Sequence, residues 1–258
     1  MRLCNRKILK WSAWAFGTLI VMLGLYVSVF FFPYPLFPHH MEIDGFSVYS
    51  DREIPDSFKV ALKDVQRRVE AMPLFRADAL PRIFVCNSKP RFEFLVKLAG
   101  KHRTGQGLLI SVAGNAFFSE QGIEAVARRS RTPPTRSRLE GSWSAAIAHE
   151  VAHHLIFTEI GFLEARHIPV WKSEGYADYS ANLAECPPDP SQEIHNRVAV
   201  LLDDSAWQGF SAVIDRRHFR WQVMVEYLCE VKELDLTRLL SENVTETGTW
   251  AELIDWHG

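Results

Sequence analysis

His149-Glu150-Val151-Ala152-His153, followed downstream by Trp171-Lys172-Ser173-Glu174-Gly175-Tyr176-Ala177-Asp178-Tyr179, decides how this chain is read. Ser142 or Ser144 can cap a helix start. After them come Ala, Ile and Val residues, then Leu155 and Ile156, with no Pro or Gly before Gly161. The pattern predicts a helix from about Ser144 to Thr158. Residues i and i+4 share a helix face, so His149 and His153 point the same way and can grip one metal ion. Glu150 sits about 100° round from His149, near the metal without being a ligand. There it can take a proton from a metal-activated water and pass it to a leaving amine. His154 faces away from the pair and reads as a packing residue or a hydrogen-bond donor.

A catalytic zinc site has three protein ligands and one open position. Val170 to Leu183 has helical spacing, and Pro169 suits a helix entrance. Glu174 falls in the first turns of that helix and can supply a carboxylate oxygen. Asp178 lies four residues later on the same face, suited to accept the second N–H of a ligating imidazole. Gly175 removes a side chain where two helices must come close.

The paired motif, H-E-x-x-H, then about twenty residues, then W-x-x-E-G-x-A-x-Y, resembles the gluzincin metallopeptidases, which include thermolysin-like and aminopeptidase-N-like enzymes. The resemblance covers about Ser142 to Leu183, with a weaker helical echo to Leu240. It implies one zinc ion held by His149, His153 and Glu174, with Glu150 as general base. Asp178 matches the orienting Asp found four residues after the ligand Glu in thermolysin-like members. The sister class with a third His six residues after the second is disfavoured, because that position is Glu159. The aminopeptidase G-x-M-E-N motif is absent, so nothing supports exopeptidase activity. Gly107 to Asn115 reads as a strand: either an ordinary one or the edge on which an extended peptide pairs. The oxyanion of a tetrahedral intermediate needs a donor. Tyr227, His218 and Tyr176 are the candidates, and the sequence does not choose among them.

Trp11 to Pro38 contains no charged residue. Residues 11–32 are long enough for a transmembrane anchor, with Trp11, Trp14, Tyr26 and Tyr34 near its ends. Arg2, Arg6, Lys7 and Lys10 make residues 1–10 a basic tail. The positive-inside rule puts that tail in the cytoplasm and the remainder outside it. The apolar run is longer than a signal peptide's and ends in Phe30-Phe31-Phe32-Pro33-Tyr34-Pro35, which suits no small-residue cleavage site. Residues 33–41 form a Pro-rich neck, and 42–258 form the extracytoplasmic domain.

The chain has 258 residues, 47% of them hydrophobic, which suffices for one compact domain beyond the anchor. A net charge of −2 and the lack of a basic groove give no support for a nucleic-acid partner. Four cysteines, one of them in the basic tail and none in C-x-x-C spacing, exclude a disulfide framework. Ile43 to Tyr49 and Pro81 to Cys86 read as strands. Asp56 to Met72 reads as an amphipathic helix through Phe58, Leu62, Val65 and Val69, and Phe92 to Leu98 as a short one. Arg128 to Arg138, with five arginines, reads as a solvated loop, a lid or a contact for an acidic surface. Gln192 to Leu202, Arg216 to Val231 and Leu236 to Leu240 read as helices. Asn243-Val244-Thr245 is a glycosylation sequon.

The expected fold is α+β and zincin-like: a transmembrane helix, a small sheet-containing lobe, then a mostly helical lobe carrying the zinc site. The expected function is a membrane-anchored zinc metallopeptidase acting on a peptide or protein. The alternative is a non-catalytic, membrane-tethered binding or assembly factor on the same fold.

Overall fold

The long apolar run forms most of α1 (Arg2–Phe31) in the computed structural model, which describes residues 2–101, 107–119, 143–185, 189–208, 215–241 and 243–258. The arginine-rich stretch 128–138 lies outside the described residues. From Trp11 to Phe31, 21 residues are long and apolar enough to cross a membrane. At 1.5 Å per residue they reach about 31 Å, the thickness of a bilayer's hydrocarbon core. Their side chains from Trp11 to Val27 are exposed.

The last turn of α1 is built into the fold. Phe30 is buried, and its carbonyl accepts a 2.7 Å hydrogen bond from the buried Asn115 amide. The Pro-rich neck is packed as well. A short 3₁₀ turn, Tyr34–Leu36, brings the Tyr34 hydroxyl to the Arg82 guanidinium, and Phe37 follows, 1% exposed.

The sheet begins within the neck. Strand β1 (His39–Ile43) turns through Asp44-Gly45 into β2 (Phe46–Ser50). The sequence pattern suggests one strand over 43–49; instead there is a hairpin. Asp44 and Gly45 adopt φ of 49° and 84°, the left-handed pair that a tight two-residue hairpin loop requires. Helix α2 (Asp56–Glu70) leads to β3 (Arg82–Cys86), and α3 (Lys89–Leu98) leads to β4 (Gly107–Ile110). A second departure follows. The single strand expected over 107–115 stops at a 3₁₀ turn, and after Gly114 (φ 62°) the chain returns as β5 (Asn115–Ser119). The strand order is β1-β2-β3-β5-β4, parallel across β2-β3-β5 and antiparallel at both ends.

Strand alternation divides the sheet's two faces. Val48, Ile83, Val85, Ala116 and Phe118 pack on α2 and on α4 (Trp143–Ile160). On the opposite face Tyr49, Phe84 and Phe117 stack across neighbouring strands, with ring centroids 5.0 Å apart at each step. Phe30, Phe37 and the apolar side of α3 cover them. One face therefore supports the helical lobe, and the other holds the end of α1.

The helical lobe adds α5 (Phe162–Ala165), α6 (Val170–Asn182), α7 (Pro190–Leu202), α8 (Asp204–Gln208), α9 (Arg216–Glu226), α10 (Leu236–Ser241) and α11 (Glu246–His257). The helix expected through Val231 ends as α9 and continues as a π-helical turn, Tyr227–Val231. Helix α11 was not expected; the Thr245 hydroxyl caps it by accepting from Gly248 N–H.

Asp64 of α2 ties the two lobes together. Ser144, in the first turn of α4, donates to its carboxylate, as do Arg67 and Arg68. Arg68 also donates to the Ala181 carbonyl at the end of α6, 2.9 Å away. Burial pushes the Asp64 carboxyl up, but the bonds from Ser144, Arg67 and Arg68 outweigh it and hold the pKa down at about 2. Its unfolded value is near 3.9, so this stabilisation is complete above about pH 5 and is lost as pH falls toward 2. Allowing for its partial exposure, we predict that Asp64→Asn lowers unfolding free energy near neutral pH by about 1–2 kcal/mol. Thermal unfolding of the full chain in detergent checks this, and the deficit should shrink on acidification.

Candidate metal centre

Helix α4 turns Ala148, Val151, Ala152 and Leu155 into the core beneath the sheet. Those positions occupy one side of the helix. The other side carries His149, Glu150 and His153, all partly exposed. Helix α6 runs against α4 through Ala177 and Ala181, residues small enough to let the backbones approach. Its Glu174 then faces the two imidazoles.

The donor atoms converge. His149 Nε2 lies 3.1 Å from His153 Nε2 and 3.4 Å from Glu174 Oε2, and His153 Nε2 lies 3.6 Å from Glu174 Oε2. A tetrahedral ion with bonds of roughly 2.05 Å spaces its ligands roughly 3.3 Å apart. The three sides of the observed triangle bracket that spacing. These residues form a group that can hold a metal ion, and among the described residues it is the only such group of three or more. Two nitrogens and one carboxylate oxygen form a donor set suited to zinc.

The imidazoles are oriented from behind. Asp178 Oδ1 lies 2.7 Å from His149 Nδ1, so that nitrogen carries the proton and Nε2 is left as the donor. The hydrogen bond expected of Asp178 is thus made, and His149 is its partner. Ser173 Oγ lies 3.2 Å from His153 Nδ1, a contact the sequence reading missed. Its only signal was a hydroxyl one residue before Glu174.

Opposite charges also hold this group of side chains together. Burial opposes protonation of His149, but Asp178, then Glu174 and Glu150, outweigh it and hold its pKa well above the ordinary imidazole value. Burial likewise pushes the Glu174 carboxyl up, and the hydrogen bonds from His149 and His153 overturn that and hold it far below the usual range. Burial pushes the Asp178 carboxyl up as well, but His149 and then His218 outweigh it and hold it down. The pocket therefore keeps two carboxylates ionised among imidazoles.

Of the three residues considered as oxyanion donors, His218 is the one brought to this group. From α9, its Nδ1 lies 3.7 Å from Asp178 Oδ2 and 3.9 Å from Glu174 Oε2. Asp178 raises its pKa, with burial opposing. Tyr227 is buried among the helices, where its hydroxyl donates to Glu252 at 3.3 Å. Tyr176 is buried in the same helical core. His154 is buried on the far side of α4 beside Gly114, and burial, then Arg82, lowers its pKa.

Two glycines set the spacing. A methyl group on Gly175 would sit 2.6 Å from the Trp221 carbonyl oxygen and 2.8 Å from Val225, so α6 and α9 meet backbone to backbone. The close helix approach expected at Gly175 is therefore present. A methyl group on Gly107, in β4, would sit 2.9 Å from Glu150 Oε1 and 2.8 Å from the Phe118 ring. The Glu150 carboxylate thus lies directly against the edge strand.

No protein-family model and no curated protein matches the chain.

The spacing predicts the behaviour of one variant. Gly175→Ala forces α9 away from α6 and shifts Glu174 and Asp178. Zinc affinity of the full chain, measured by competition with a chromophoric chelator, should fall roughly tenfold or more. Unchanged affinity would mean that the approach of the two helices does not set the donor positions.

Proposed function

We propose that this protein is a membrane-anchored, zinc-dependent peptidase with a zincin-like fold, its catalytic domain outside the cytoplasm. The observation that carries the reading is the pairing of a metal-spaced His149–His153–Glu174 triangle with a carboxylate, Glu150, one residue from a ligand and pressed against an open strand edge. A metal site that only held the fold together would have no need of an uncoordinated carboxylate at its rim. The exposed apolar helix at residues 11–31, preceded by the basic residues Arg2, Arg6, Lys7 and Lys10, supports the anchored orientation.

His149, His153 and Glu174 would hold the zinc. When bound, the ion supplies Lewis acidity, which polarises a peptide carbonyl and acidifies water. Glu150 takes the proton of the attacking water and carries it to the departing amine nitrogen as the C–N bond breaks. Among the described residues strand β4 is at the sheet edge and pairs only with β5, so its outer side would offer backbone N–H and C=O groups to an extended peptide. A peptide added there runs past Gly107, and the lack of a side chain at that position lets Glu150 lie beside it. His218, held by Asp178, contributes an N–H toward the developing oxyanion.

The test compares Glu150→Gln with the wild-type chain in detergent against a broad peptide library. Zinc content should stay near one ion per chain while turnover falls by about 10²–10⁴-fold. Undiminished cleavage by the variant refutes the role of Glu150. Zinc retained by the wild type with no cleavage of any peptide favours a tethered binding factor instead.

Gly107→Ala probes the neighbouring strand. The added methyl group displaces Glu150, so we predict a fall in kcat of roughly 10²-fold with zinc content preserved. Steady-state kinetics beside metal analysis reads both quantities.

A further inference from the structure

The face of the sheet turned away from the metal carries a second feature. Helix α3 packs on it through Phe92, Leu95 and Val96, in the same cluster as Phe30 from the last turn of α1. Its opposite side is exposed and chemically distinctive. Arg91 and Lys97 flank Phe94 there, a large aromatic left 59% exposed, and Lys101 follows just past the end of the helix. Glu93 pairs with Lys89, and Asp51 pairs with Arg91. Lys97 and Lys101 make no ion pair among the described residues.

Position gives this face its meaning. Arg91 donates to the carbonyl of Leu36, 3.3 Å away, five residues beyond the end of the apolar span. Helix α3 is therefore fastened to the chain just past the point where it would leave the bilayer. The anchor is fixed there as well, by Asn115 on the Phe30 carbonyl and Arg82 on the Tyr34 hydroxyl. The end of α1 and α3 thus cover the same side of the sheet.

We propose that α3 is an interfacial helix resting on the phospholipid surface beside the anchor, with Phe94 entering the acyl boundary and its basic residues meeting lipid phosphates. Exposed aromatic and cationic residues on one helix side are what such a surface takes up. The docked anchor then serves as more than a tether. It holds the domain with its sheet toward the bilayer and the metal centre on the far side of that sheet. The inference rests on the membrane reading of α1 and extends it to a contact the span itself does not require.

The experiment uses the full chain in nanodiscs of phosphatidylcholine with phosphatidylglycerol, on a Cys4→Ser/Cys186→Ser/Cys229→Ser background that keeps only the buried Cys86. Nitroxide labels are attached one at a time through Leu19→Cys, Phe94→Cys and Val60→Cys. Val60 is as exposed as Phe94 but lies on α2, across the sheet. Relaxation by oxygen, which enriches in lipid, is compared with relaxation by a water-soluble nickel complex. The label at 94 should show an oxygen-to-nickel ratio severalfold above that at 60, approaching the label at 19. Lys97→Glu/Lys101→Glu should bring the ratio at 94 back toward that at 60. A label at 94 as water-accessible as at 60, with the label at 19 in lipid, overturns the contact and leaves the anchor intact. A label at 19 in water overturns the membrane reading and this inference with it.

Discussion

The close approach of α6 to α4 on one side and α9 on the other is the constraint on which the rest of the structure depends. Imidazole and carboxylate donors can meet at 3.1–3.6 Å only if the helices that carry them nearly touch. On the α4 side Ala177 and Ala181 permit this, and on the α9 side Gly175 does, with the Trp221 carbonyl oxygen 2.6 Å from where a Cβ would be. Small residues shorten the separation of packed helices, and protein interiors do not absorb an added methyl without displacement. The geometry of the site is thus set by residues that make no contact with a metal.

That dependence explains which parts of the site are legible in the sequence. The i, i+4 pairs His149/His153 and Glu174/Asp178 are legible because helical periodicity is a local property. Gly175 is legible because a glycine inside a helix has to be accounted for by close packing. The contact of Ser173 with His153, the contact of Glu150 with Gly107 and the choice of His218 over Tyr227 and Tyr176 are not local. They depend on how α4 meets α6, how α4 meets β4 and how α9 meets α6, and no spacing rule encodes that. The hairpin at Asp44-Gly45 is a different case. The dipeptide is a strong hairpin signal, and a reading that follows only the apolar run over 43–49 passes over it. Thr245 is similar: read as part of a glycosylation sequon, it acts in the fold as the cap of α11.

The sheet connects the metal-spaced group to the apolar helix α1. Its parallel centre, β2-β3-β5, is covered on both faces, as parallel strands require. One face supports α4, which carries the histidines, and the other takes Phe30, Phe37 and α3. Asn115 begins β5 and holds the end of α1. Phe118, three residues on, lies with Glu150 beside Gly107. A single strand therefore touches both the end of α1 and the rim of the candidate site, so a chain cut at the neck would lose packing from the layer that backs that site.

The central claim is that two imidazoles and one carboxylate share one ion. X-ray absorption at the zinc edge of the full chain, purified in detergent and loaded with one equivalent, tests it most directly. The account predicts a first shell of nitrogen and oxygen donors at about 2.0–2.1 Å, with the outer-shell scattering of two imidazoles and no sulfur. A sulfur shell at about 2.3 Å, or a shell of oxygens without imidazole scattering, would contradict it.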